Sequence, residues 1–89
     1  MSRTETIRQE ILTQLYGYRP ASRDAERMAL MARREGELPD ATAAEFVREA
    51  AYLVGKQLIE AVPEDIAAGH VRWRITSAGI EWMEARGLI

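Results

Sequence analysis

Apolar residues recur at helical spacing in the first part of the chain. Between residues 4 and 16 they stand at i, i+4, i+5 and i+8, on one face of a helix: Ile7, Ile11, Leu12 and Leu15. A first helix is therefore predicted from about Thr4 to Tyr16, because Gly17 and Pro20 follow as terminating residues. Ser22 is the expected N-cap of a second helix, from about Arg23 to Glu35.

A third helix is predicted from a capping signal and a further apolar stripe. "TAAE" at Thr42–Glu45 fits a capping box, in which the threonine side chain accepts from the glutamate amide and the glutamate reaches back. The apolar stripe that follows is Ala43, Phe46, Val47, Ala50, Leu53 and Val54. The helix is expected to run from about Ala43 to Lys56.

Beyond this helix the pattern changes to the two-residue period of strands. "QLIEAV" at Gln57–Val62 has strand composition, and "HVRWRIT" at His70–Thr76 places apolar and basic residues on opposite sides. The turn-rich Pro63–Gly69 joins them, so a β-hairpin is predicted. Its apolar side, Val71, Trp73 and Ile75, is expected to pack against the helices. "TSAG" then caps a short last helix, which Gly87 ends.

The order of elements and the composition predict one α+β domain, mainly α, over residues 1–89. It consists of a three-helix bundle, a two-stranded hairpin and a short C-terminal helix. The 89 residues are 47% apolar and 29% charged, which is ordinary for a globular domain, and the absence of cysteine excludes disulfides and thiolate metal sites. Short apolar runs and a polar N-terminus predict neither a membrane span nor a signal peptide, so a cytoplasmic protein is expected.

Three runs of residues resemble a known family. They are "ILTQLYGYRP" at Ile11–Pro20, "YLVGKQLIE" at Tyr52–Glu60 and "RWRITSAGIEWME" at Arg72–Glu84. Together with the order of elements, they resemble the small winged-helix proteins of Mu-like transposable phages and prophages, over nearly the whole chain. One position departs from that family, because Gln57 stands where glycine is usual. Either the third helix ends earlier, or Gln57 is strained.

The sequence offers no chemistry for catalysis. It has one histidine and no cysteine, its glycines are scattered, and no group of side chains has metal-ligand spacing. Glu64 and Asp65 are expected to be solvated carboxylates, and His70 a partly exposed strand residue. Neither an enzyme, a cofactor nor a metal site is predicted, and the function is expected to be binding.

The winged-helix resemblance implies that the third helix enters the DNA major groove and that the hairpin, the wing, contacts phosphates. On a helical wheel the side opposite the apolar stripe carries a row formed by Arg48, Tyr52 and Lys56. This row is a candidate DNA contact. The alternative is a solvated face in which Arg48 pairs with the flanking Glu45 and Glu49, with Tyr52 half-buried under the hairpin.

Two further basic groups are candidate phosphate contacts. The wing contributes His70, Arg72 and Arg74. Glu60 on the paired strand is expected to neutralise part of this group. The start of the second helix contributes Arg19, Arg23 and Arg27, whose alternative roles are dipole balance and solubility.

Charge and exposed apolar residues limit the DNA interpretation. The net charge is −2, and residues 37–69 hold seven acidic and two basic side chains. A homodimer or protein contact is suggested by Tyr16, Tyr18, Trp82, Leu88 and Ile89. Alternatively, Leu88 and Ile89 close the core. The hypothesis is a transcriptional regulator or accessory protein that binds double-stranded DNA. The alternative is a protein–protein interaction or dimerisation module on the same fold.

Overall fold

A computed structural model describes residues 2–36, 38–63 and 71–89, and within these ranges the fold is α+β and mainly helical. The described helices are α1 (Arg3–Gly17), α2 (Ala25–Arg34), α3 (Ala43–Gly55) and α4 (Ser77–Ala85). The described strands are β1 (Arg23–Asp24), β2 (Ile59–Ala61) and β3 (Arg72–Ile75). All four predicted helices are confirmed, with small shifts of their ends.

The predicted caps are confirmed at α3 and α4 and wrong at α2. Thr42 and Glu45 form the complete capping box of α3, and the Thr76 side chain accepts from the amide of Gly79 at the start of α4. At α2 the N-cap is Asp24, whose carboxylate accepts from the Arg27 amide at 2.7 Å, and not Ser22. The cap lies two residues later because Arg23 and Asp24 are held in the sheet.

The sheet is three-stranded and antiparallel, in the order β1-β3-β2. The predicted pairing of the two hairpin strands is confirmed, with Glu60 opposite Arg74. The prediction of a two-stranded sheet was wrong, because the two residues of β1 pair with the other edge of β3, Arg23 opposite Trp73. The pairing partner lies 50 residues away, so no local pattern indicates it. Residues 64–70, including His70 and most of the predicted turn, lie outside the described residues.

The core lies between the helices and one side of the sheet. Its largest fully buried side chains are Phe46, Ile7, Ile11, Leu12, Leu15, Met28, Leu53, Ile59 and Met83. Trp73 is buried, as predicted, and Ile75 packs against the core. Val71 is exposed, contrary to prediction. It precedes β3, and the pairing with β1 begins only at Arg72.

The buried side of α3 is rotated from the predicted one. Val47 and Val54, expected in the core, are 48% and 37% exposed. Each follows a buried residue, Phe46 or Leu53, by one position and so lies about 100° around the helix from it. Glu49, expected at the margin of the solvent face, is buried and only 3% exposed.

Hydrogen bonds join the turn from α3 into β2 to the start of α4. α3 ends at Gly55, one residue before its predicted end. Gln57 has φ 64° and therefore adopts the left-handed conformation. The Thr76 hydroxyl donates to the Gln57 carbonyl at 2.8 Å, and the Thr76 amide donates to the Leu58 carbonyl at 3.1 Å. A Cβ on Gly79 would overlap the Leu58 carbonyl oxygen, so only glycine permits this approach of α4.

Candidate functional site

The predicted DNA-contacting row on α3 is divided by the structure. Arg48 lies on the solvent side, with its side chain 67% exposed and its Nε 3.0 Å from the Glu49 carboxylate. Tyr52 and Lys56 instead face the groove towards α1 and α4. Tyr52 is exposed, not half-buried under the hairpin, and the Arg8 guanidinium lies 3.4 Å from the centre of its ring.

Glu49 is the buried charge that organises this side of α3. Its Oε1 accepts from Arg8 Nε at 2.8 Å, and its Oε2 accepts from Arg48 Nε at 3.0 Å. The pairing with Arg8 joins α1 to α3, and the predicted local pairing of Arg48 with Glu49 is confirmed. The role of Glu49 was missed because its partner on α1 is 41 positions away.

The solvent side of α3 is nearly uncharged. We define the outer face of α3 by the exposed side chains that lie outside the groove lined by Tyr52: Ala44, Val47, Arg48, Ala51 and Val54. Arg48 is the one charged residue of this set. At the N-terminal end of the helix Glu45 lies beside the outer face, and a bidentate contact with Arg3, at 2.7 and 3.0 Å, holds it.

That contact sets the protonation of Glu45. Hydrogen bonds from Arg3, assisted by those from Thr42, lower the pKa of Glu45 to about 2. The paired carboxylates Glu45 and Asp40 raise the pKa of the Arg3 guanidinium above its ordinary value. Both groups are fully ionised near neutral pH, so Glu45 contributes a negative charge that is already matched by Arg3.

The two arginines of β3 differ in their hydrogen-bond partners and in their exposure. Arg74 Nε donates to Glu60 Oε1 at 2.6 Å, which confirms the expected neutralisation across the two strands. Arg72 is half-buried, and its Nη2 donates to the Ser22 carbonyl at 3.3 Å. The sequence predicted that both arginines would lie on one basic side, but of the two only Arg74 is exposed.

The third basic group is spread over the segment from α1 to α2. Arg19 and Arg23 each stack on a tyrosine ring, Arg19 on Tyr16 at 3.7 Å and Arg23 on Tyr18 at 3.4 Å. Arg27 is exposed near the start of α2 and lines a groove between α2 and α3. Arg19 and Arg74 both line a different groove, of about 300 Å³, beside the start of α4. Arg19 and Arg27 therefore line two separate grooves.

The candidate partner residues are of two kinds. Tyr16 and Trp82, which were predicted to be exposed, are partly buried and pack against the core. Tyr18, Leu88 and Ile89 are exposed. The alternative in which Leu88 and Ile89 close the core is therefore wrong. The other interpretation, an apolar contact with a second chain, stays a prediction.

A cleft of about 510 Å³ opens between α1, the end of α3 and α4. We call it the α1–α4 cleft. Its lining combines apolar, aromatic and charged side chains: Glu5, Arg8, Gln9, Tyr52, Leu53, Lys56, Leu58, Trp82 and Arg86. Sequence reasoning identified Tyr52, Lys56 and Trp82 separately but not the cleft, because its walls come from three distant segments of the chain.

Within residues 2–36, 38–63 and 71–89, no three histidine or carboxylate side chains are grouped to hold a metal ion. None of the helices described in these ranges is long and apolar enough to cross a bilayer. Comparison of the chain with protein-family models, with curated proteins and with solved structures gave no match. The geometry of the outer face and of the cleft is therefore the basis for a functional assignment.

Proposed function

We propose that the protein is a winged-helix DNA-binding protein that places the outer face of α3 against duplex DNA. The observation that carries the proposal is the order α1-β1-α2-α3-β2-β3-α4 with strands in the order β1-β3-β2. In this arrangement α2 and α3 are the helix-turn-helix pair, and β2 and β3 are the strands of the wing. A regulator or accessory protein of the phage type is the role that the sequence resemblance adds.

The outer face of α3 has the shape for close approach to a groove. Ala44 and Ala51 have short side chains, so the helix backbone can approach the base edges without displacing large groups. Arg48 extends from the same face, and Arg27 on α2 lines a groove that reaches Ala43 at the start of α3. Each guanidinium supplies a charged, planar donor for one phosphate.

The electrostatics favour weak binding with a shallow dependence on salt. Arg48 and Arg74 are paired with Glu49 and Glu60, so each must exchange a carboxylate for a phosphate. If Arg27, Arg48 and Arg74 each neutralise one phosphate, the slope of log K against log salt is about −3. A strongly basic DNA-binding domain gives a much steeper slope.

The test is fluorescence anisotropy with a labelled random-sequence duplex, between 20 and 200 mM salt. R27Q and R48Q should each reduce the slope by about 1 and weaken binding. R86Q is the matched control, since it removes the same charge from the α1–α4 cleft and should leave both quantities unchanged. The absence of binding at the lowest salt, or an equal loss in R86Q, would refute the proposal.

A second candidate function is self-association through the outer face of α3. The observation that favours it is the exposure of Val47 and Val54, which lie about two turns apart on that face. V47K separates the two functions because it acts in opposite directions. It adds a cation and should tighten DNA binding, whereas it should disrupt an apolar contact between two copies. Light scattering after size exclusion gives the mass of each variant, and a concentration-independent monomer excludes self-association.

A further inference from the structure

The α1–α4 cleft has an apolar floor between two aromatic walls. Leu53 and Leu58, which are buried with 2% and 8% of their surface exposed, lie at the floor. Tyr52 on α3 and Trp82 on α4 line the cleft, and each ring carries a stacked guanidinium. Arg8 lies 3.4 Å from the Tyr52 ring centre. An apolar group that entered the cleft would be removed from water by both the rings and the floor.

Three cations surround this apolar floor. Arg8 is fixed by Glu49 and by stacking on Tyr52. Lys56 lies 5.6 Å from the centre of the Tyr52 ring, and Arg86 lies 3.7 Å from the centre of the Trp82 ring. Neither Lys56 nor Arg86 forms an ion pair with a carboxylate of the described residues.

The cleft is therefore a positive region on an acidic chain. Glu5 is the one described acidic side chain that lines it, and Glu49 already matches the charge of Arg8, so Lys56 and Arg86 supply the positive excess. The chain as a whole carries a net charge of −2. A cation that has no carboxylate partner accepts an incoming anion without breaking an ion pair, unlike Arg48 on the outer face of α3.

From this arrangement we infer that the α1–α4 cleft is a binding site for an acidic peptide segment of a partner protein. The segment places one aromatic or large aliphatic side chain on Leu53 and Leu58, between Tyr52 and Trp82. Its flanking carboxylates contact Lys56 and Arg86. The site is separate from the outer face of α3, so this inference goes beyond DNA binding and does not depend on it.

The floor favours a peptide over a nucleotide. Leu53 and Leu58 present no side-chain donor or acceptor to the edge of a nucleobase, whereas an apolar side chain needs none. One face of each aromatic ring is already covered by a guanidinium, which limits the stacking surface left for a base. A nucleotide is therefore the competing occupant that the experiment has to separate from the peptide.

Binding can be measured with the capped peptide acetyl-Asp-Asp-Phe-Asp-Asp-amide, by calorimetry and by tryptophan fluorescence. Trp82 lines the cleft, whereas Trp73 is buried in the core, so W82F should abolish the fluorescence change and assign it. The same peptide with alanine in place of phenylalanine tests the floor. Adenosine monophosphate tests the nucleotide alternative.

The expected result is binding of the phenylalanine peptide that weakens about tenfold or more in the K56Q/R86Q variant. Both side chains are exposed, so the variant should unfold at the denaturant midpoint of the parent protein. R27Q/R48Q is the matched control with the same loss of charge and should bind the peptide normally.

Three results would overturn the inference. The first is equal binding of the alanine peptide, since the floor would then have no part in recognition. The second is binding of the nucleotide without binding of the peptide. The third is the absence of peptide binding by a folded parent protein. Failure of the DNA-binding proposal appears instead in the duplex assay, with R27Q and R48Q, and the two failures are therefore distinguishable.

Discussion

Replacement of Gly79 by alanine tests how α4 is joined to the rest of the domain. A Cβ at this position would overlap the Leu58 carbonyl oxygen and lie 2.8 Å from Ile75 Cγ1. The Leu58 atom belongs to the backbone and cannot rotate away as a side chain can. The Leu58 carbonyl also accepts from the Thr76 amide at 3.1 Å, so a shift of α4 disturbs that hydrogen bond as well.

The expected cost can be estimated from these contacts. Overpacking against a rigid group costs about 2–3 kcal/mol, the upper part of the usual range. A lengthened Thr76–Leu58 hydrogen bond adds about 1 kcal/mol, and the higher helix propensity of alanine returns about 1 kcal/mol. The net loss in the free energy of unfolding is about 2–3 kcal/mol. For a domain of this size, the melting temperature falls by roughly 10–20 °C.

Urea unfolding followed by circular dichroism measures this loss, with G55A as the matched control. Gly55 ends α3, and a Cβ there meets no atom within 4 Å. The same substitution should therefore stabilise the protein at Gly55, by about 0.4–1 kcal/mol through the unfolded state. If G79A unfolded at the same urea concentration as the parent protein, the close approach of α4 to Leu58 would be refuted.

Two further substitutions test local strain and charge. Q57G should raise the free energy of unfolding, measured in urea, by about 0.5–1 kcal/mol. The reason is that relief of the left-handed backbone strain exceeds the cost of the conformational entropy that glycine adds to the unfolded state. A Q57G variant less stable than the parent protein would contradict the strain at Gln57. The folded pKa of Glu45 is about 2 and its ordinary value is 4.5, so its contribution to stability is complete above about pH 4.5 and is lost as the pH falls towards 2. NMR titration of the Glu45 carboxyl should show this low pKa in the parent protein and a higher one in R3Q, and an unchanged pKa in R3Q would show that Arg3 is not its main cause.

Features set by neighbouring residues were predictable from the sequence. The capping box of Thr42 and Glu45 and the Thr76 cap need only three or four consecutive residues, and both are present. A strained backbone at Gln57 was one of two alternatives that the family resemblance left open, because a glycine is usual there. Local sequence thus determined where the third and fourth helices begin.

Features set by distant pairs were not predictable. Asp24 replaces Ser22 as a cap because β3, about 50 residues away, extends the preceding backbone into a strand. Glu49 is buried because Arg8 on another helix neutralises it. A helical wheel treats each helix alone, so it places a glutamate at the margin of the solvent face and cannot include such a partner.

The distribution of charge partners explains why one small domain supports two different binding proposals. At the outer face of α3, Arg48 is exposed but already paired with Glu49, so a phosphate of the proposed DNA partner would have to compete with that carboxylate. At the α1–α4 cleft, Lys56 and Arg86 lie against aromatic rings and have no carboxylate partner among the described residues. An anion therefore gains more of its Coulomb energy at the cleft, whereas the DNA-binding proposal depends on the shape of the outer face of α3. Because no arginine or lysine is shared between the two contacts, occupation of one surface leaves the cations of the other available.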